Sequence, residues 1–178
     1  MNRYRADFAS LRRRGCYAVL LLALHLLQNT PGLLPHPFGA QAFLLIPAVV
    51  CIGMGEREFS GLLFGLFAGL LWDSSLFSGN WNAIYLCIIG MVCGALVQYL
   101  MRNNIMTASL LSALALLFYS LLHWLGTIDP QQFGASLRRL WTFYLPSCLF
   151  SLLCTAFLHF AVRAIATRFP ARRAEEEQ

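Results

Sequence analysis

The sequence predicts an all-α polytopic membrane protein with six transmembrane helices in a compact bundle, and three observations predict it. The 178 residues are 58% hydrophobic and 12% charged, with a mean hydropathy of +0.63. Soluble domains run at about 45–50% apolar and about 25% charged. Apolar runs recur along the whole chain between short polar breaks. A span needs about 20 apolar residues, so the length accommodates roughly five or six of them and little else. The charge is also sorted: all 13 basic residues are arginine, and most lie at the two ends. Disorder requires low hydrophobicity with high net charge, the opposite of this composition. A soluble catalytic domain has no room.

The first span covers about residues 16–27, extending toward residue 34, where Pro31, Pro35 and Pro37 break it. Its basic leader and the small residues Ala40-Gln41-Ala42 resemble a signal peptide with a cleavage site. That site lies too far beyond the apolar run, so an uncleaved span is expected. The second segment, about residues 40–54, is short and contains Pro47; Glu56, Arg57 and Glu58 then form a charged hairpin. The third covers about residues 59–76, the fourth 81–101, ending at Arg102, Asn103 and Asn104, and the fifth 105–125. A polar loop with Gly126, Asp129, Pro130 and Gly134 leads to the sixth, about residues 140–165. The expected organisation is a basic segment 1–14, a transmembrane domain 15–165 and a tail 166–178 ending in Glu175, Glu176 and Glu177.

Six spans put both termini on one side. With the termini inside, Arg3, Arg5, Arg12, Arg13, Arg14, Arg57, Arg102, Arg163, Arg168, Arg172 and Arg173 are cytoplasmic, and Arg138 and Arg139 alone lie outside. Arginine is retained on the cytoplasmic side of short loops, so both ends are expected there. Trp81, Trp124 and Trp141 fall near predicted span ends, where amphipathic rings settle. The net charge of +5 therefore speaks for anionic lipid headgroups. A nucleic-acid role for Arg12–Arg14 is disfavoured, because no folded basic domain surrounds the cluster.

Cys16, Cys51, Cys87, Cys93, Cys148 and Cys154 form no CxxC pair and lie almost entirely in apolar runs. Small apolar packing residues are the expected role, not a metal site or a disulfide framework. His25, His123 and His159 sit on three different segments and read as hydrogen-bonded packing residues. No nucleophile–base spacing, phosphate loop or zinc motif occurs, and no cofactor or metal is expected. Asp73 and Asp129 as an intramembrane acid pair are disfavoured, since Asp129 falls in a Gly/Pro/Gln loop.

The most informative stretch is a glycine row. Gly61, Gly65, Gly69 and Asp73 recur every fourth residue and so share one face of a helix. Glycine costs about 1 kcal/mol relative to alanine in a water-exposed helix, yet between membrane helices it lets two backbones approach closely. Gly90 and Gly94 repeat the pattern on the fourth segment. Segments three and four are therefore expected to pack tightly, against each other or against a partner. For Asp73 two readings stand. It lies about 21 Å into a hydrocarbon core of about 30 Å, where an ionisable group is functional by default. Alternatively, the helix ends at Trp72 and Asp73 opens a wet turn through Ser74, Ser75, Ser78, Gly79, Asn80 and Asn82.

The run Gly61, Gly65, Gly69, Leu70, Leu71, Trp72 and Asp73, followed by Gly79, Asn82, Gly90 and Gly94, resembles the rod-shape-determining MreD family. So do the size, the six-span plan, the Gly55-Glu56-Arg57-Glu58 lead-in to the third helix, and Pro146 early in the last. The resemblance spans residues 12–168 and is detailed over 55–104; the outer loops 31–37 and 126–137 match nothing diagnostic. It implies a fold similar to the substrate-binding subunits of energy-coupling-factor transporters. It also implies a non-enzymatic subunit of the cell-elongation machinery in the bacterial cytoplasmic membrane. Its expected partners are MreC, then RodA and its penicillin-binding transpeptidase, and indirectly the MreB filament. The alternative is a substrate-capture subunit of a vitamin transporter: segments two and three are interrupted by Pro47 and glycines, as at transporter binding sites, and Asp73 and Asn82 are placed to line a pocket.

Overall fold

A computed structural model of the chain describes residues 2–30, 43–56, 58–76, 81–101, 103–126, 138 and 140–169. Among them all regular structure is helical: α1 (Asn2–Asn29), α2 (Leu45–Gly55), α3 (Glu58–Leu76), α4 (Asn82–Tyr99), α5 (Ile105–Gly126) and α6 (Leu145–Arg168). The helices follow the six apolar stretches of the sequence. Three of them are long and apolar enough to cross a membrane: α4, α5, and α6 taken with the turn before it, as Trp141–Arg168.

The packing is built around α2, which is only 11 residues long, about 16 Å at 1.5 Å per residue. Its residues from Leu45 to Met54 are all buried, and it touches each of the other five helices. A helix that is apolar all round has no face to offer water, so it takes the centre. Pro47 is tolerated because it stands in the first turn, where a backbone N–H has no partner inside the helix. The ends of α2 are closed by its neighbours. Leu44, at the N-cap position, has no side-chain oxygen to offer. Instead the Leu44 N–H donates to Gln28 Oε1 of α1 at 3.1 Å, and the Phe43 N–H donates to Ser151 Oγ of α6 at 2.8 Å. At the other end Asn103 Nδ2 donates to the Met54 carbonyl at 3.2 Å.

Outward faces carry large apolar side chains. Ile84, Ile88 and Met91 on α4, Leu110, Leu114 and Leu117 on α5, and Leu149, Leu153 and Phe157 on α6 are all exposed. The interior is a cluster of apolar side chains with a few polar ones set into it. Ser147, Ser151, Thr155 and His159 are buried along one face of α6. The three hydroxyls donate to the carbonyls of Phe143, Ser147 and Ser151 at 2.6–3.2 Å, the residues four positions earlier. The three hydroxyls thus donate within their own helix, and Ser151 Oγ also accepts the Phe43 N–H. Large apolar side chains on the outer faces of the longer helices suit a hydrocarbon surround.

A π-turn, Leu140–Tyr144, leads into α6. It stands immediately before Pro146, whose ring lacks an N–H and clashes with the carbonyl four residues earlier in a regular helix. Widening the turn gives that ring its space.

Candidate functional site

The glycine row of α3 lies against α4. A Cβ added at Gly61 would strike the Gly90 carbonyl oxygen, and one at Gly65 would come within 2.8 Å of the Leu86 carbonyl carbon and 3.0 Å of the Cys87 Cα. At Gly69 it would lie 2.8 Å from the Ala83 nitrogen and the Asn82 oxygen, and at Gly94 it would be 2.9 Å from the Glu58 Cα. Each four-residue step up α3 meets a step of about four down α4, so the helices run antiparallel in backbone-to-backbone contact. Only glycine permits this approach. Gly53 of α2 joins at the same level, where an added Cβ would meet the Gly90 oxygen at 2.9 Å. Three helices therefore converge on Gly53, Gly61 and Gly90. The sequence reading did not single out Gly53, although it stands eight residues before Gly61, in phase with the row.

Asp73 closes the seam. It stands in the last turn of α3, half-buried, and its Oδ2 accepts the Ala83 N–H at 3.0 Å. The residue at the N-cap of α4 is Trp81, which makes no side-chain cap bond. Asp73 thus supplies from a neighbouring helix the anionic acceptor that a helix N-terminus favours. The helix does not end at Trp72 but continues through Asp73 to Leu76, so the wet turn of the second sequence reading does not begin at Asp73. Gly79 lies outside the described residues, as does Asp129.

Beside Asp73 is a cluster of aromatic and polar side chains centred on Tyr119 of α5. Its ring stacks on Trp72 with centroids 5.3 Å apart, and meets Phe43 at 5.7 Å and Tyr85 at 6.4 Å edge-on. The Tyr119 hydroxyl donates to Asn82 Oδ1 at 2.8 Å, and Asn82 is fully buried. A buried phenol requires such a partner, and Asn82 at the first turn of α4 provides it. His123 Nδ1 and the Tyr144 hydroxyl follow at 2.7 Å. Two buried atoms of this cluster, Asp73 Oδ1 and Asn82 Nδ2, have no hydrogen-bond partner among the described residues. Asp73 and Asn82, paired in the sequence reading as pocket residues, are thus brought to one place. No spacing in the sequence marks Tyr119, Trp72 and Phe43 as their neighbours.

At the opposite end an ion pair joins Arg13 of α1 to Glu56, the residue just after α2, at 2.7 Å; both are largely buried, 12% and 6% exposed. Glu56 was expected in a charged hairpin and Arg13 in a lipid-facing cluster; each is instead turned inward to the other. All six cysteines are free thiols, with Cys51 and Cys93 buried. No group of three or more His, Cys, Asp or Glu able to hold a metal occurs among the described residues.

Fold and site together define an all-helical protein with three helices long and apolar enough to cross a membrane and a glycine seam at its centre. Comparison with family models, curated proteins and solved structures finds no match for the chain.

Proposed function

We propose that the protein is a non-enzymatic integral membrane scaffold of the rod-elongation complex, binding MreC and helping to organise peptidoglycan synthesis. In this reading all six helices lie in the bacterial cytoplasmic membrane, α2 as a short central element, with both termini cytoplasmic. The resemblance to the MreD family names the function. The observation that supports it is how the resembling residues are used: Gly61, Gly65, Gly69, Gly90 and Gly94 are occupied in fixing α3 to α4. The seam is thus the rigid interior of the scaffold. Contacts with MreC, and through it with RodA and the transpeptidase, fall to the exposed apolar faces of the longer helices. Depleting the protein turns rods into spheres, and purification in mild detergent brings down MreC. Depleted cells that keep rod shape and normal wall insertion would sink the proposal, and a reporter fusion placing the carboxyl terminus outside would sink the topology.

A second reading, the capture subunit of a vitamin transporter, draws on Asp73 Oδ1 and Asn82 Nδ2, two unpartnered buried atoms beside aromatic rings. Tight vitamin binding by the purified protein, without MreC, selects it.

A further inference from the structure

A furrow of about 500 Å³ runs between the middle of α1 and the first half of α3, from Leu11 and Phe59 to Ala18 and Phe67. The rings of Tyr17 and Phe64 meet edge-on with centroids 5.7 Å apart, which sets residue 17 level with residue 64. Arg14 and Ser60, each about one turn earlier, stand together, and Leu11 and Phe59 line the furrow beyond them. Ala18, Leu63 and Phe67 form the walls further in. A Cβ added at Gly15 would meet nothing within 4 Å, so the furrow is open there. The three consecutive arginines are not equivalent. Arg13 is taken by Glu56, whereas Arg14, in the furrow lining, makes no ion pair or hydrogen bond among the described residues.

An unpaired guanidinium within an otherwise largely apolar furrow is complementary to an amphiphile with a single anionic head. The planar fork of arginine matches a phosphate in two hydrogen bonds, and a basic residue beside an apolar surface attracts anionic headgroups. We propose that the furrow holds one anionic phospholipid from the leaflet at the amino-terminal end of α1. Its phosphate rests on Arg14, and an acyl chain lies against Gly15, Ala18, Leu63 and Phe67. This requires only that the bundle sits in a bilayer, so it stands apart from which proteins the scaffold holds.

The test is lipid retention by the full chain, released from detergent in native mass spectrometry, with phosphatidylglycerol and phosphatidylcholine of identical acyl chains. The native protein keeps phosphatidylglycerol preferentially. Arg14→Gln lowers that preference about fivefold, the scale of one basic residue at a membrane surface, and Arg12→Gln leaves it in place. Gly15→Leu, whose Cβ enters open space, reduces retention of both lipids. Added glycerol phosphate does not displace the lipid, because the acyl chain carries part of the binding. An unchanged headgroup preference in Arg14→Gln overturns the proposal. So does undiminished retention in Gly15→Leu, displacement by glycerol phosphate, or a lipid-free dimer that Gly15→Leu disrupts. Thermal unfolding of each variant separates loss of the site from loss of the fold.

Discussion

Two glycines of this chain face opposite surroundings, and the difference predicts opposite consequences for one added methyl. At Gly65 the methyl would press on the backbone of Leu86 and Cys87, so Gly65→Ala forces α3 and α4 apart. A loss of about 1–3 kcal/mol is expected, as for overpacked cores, and is measured by unfolding in detergent. Gly15→Ala has open space and is expected to be neutral or slightly stabilising. Asp73 offers a second residue-scale expectation. Asp73→Ala removes the acceptor from the Ala83 N–H and costs about 1 kcal/mol, the usual worth of a cap. Asp73→Asn keeps an acceptor oxygen and costs less. Hydrogen exchange at the Ala83 amide checks both. At this scale the sequence was informative where spacing alone carries the message: glycines every fourth residue announce a face. It left open whether that face meets the fourth segment or a partner, because spacing along one helix carries no information about what packs on it. It was silent also on Asp73 as a cap, since the acceptor and the amide it serves lie on different helices.

Helices α2 and α4 are each closed at the start by a side chain borrowed from another helix. Leu44, Trp81 and Tyr144 stand at the N-cap positions of α2, α4 and α6, and none makes a side-chain cap bond. An apolar N-cap suits a helix end packed inside a bundle, provided a neighbour supplies the oxygen. For α2 that neighbour is partly Ser151. Ser151→Ala leaves the buried Phe43 N–H without its acceptor, and an orphaned buried donor costs about 1–3 kcal/mol. Faster exchange of the Phe43 amide, with α4 unaffected, is the expected signature. The stripe Ser147, Ser151, Thr155 and His159 was as visible in the sequence as the glycine row, with the same four-residue spacing. The histidine drew attention alone because serine and threonine in an apolar run carry little weight until their shared face is noticed. The existence and order of the helices were legible from hydropathy. The central position of α2 was not, although its lack of any polar face already pointed inward.

For the molecule as a whole, the sorted arginines conceal a division of labour. Most of the basic residues at the amino-terminal end read as a single cluster, yet Arg13 leaves it to meet Glu56 across the bundle. The pair ties α1 to the α2–α3 junction and fastens one end of the bundle, as the Tyr119 cluster fastens the other. Removing one partner strands a buried charge, so Arg13→Gln or Glu56→Gln each loses about 3–5 kcal/mol. Replacing both by leucine recovers most of that loss, because no unpaired charge remains. Unfolding of the two single variants and the double variant forms the cycle that measures this. No property of the sequence pairs these two residues: they lie on separate elements, and each has nearer charges of opposite sign along the chain.

The closure of α2 by Ser151 bears on when the protein is finished during synthesis. The oxygen that satisfies Phe43 arrives 108 residues later in the chain, on α6. Until then the first turn of α2, too short to cross a bilayer by itself, has an open amide and no roof. The centre of the bundle is therefore assembled early and sealed late, and a nascent chain halted before α6 is left with its most apolar helix uncovered to the quality-control machinery.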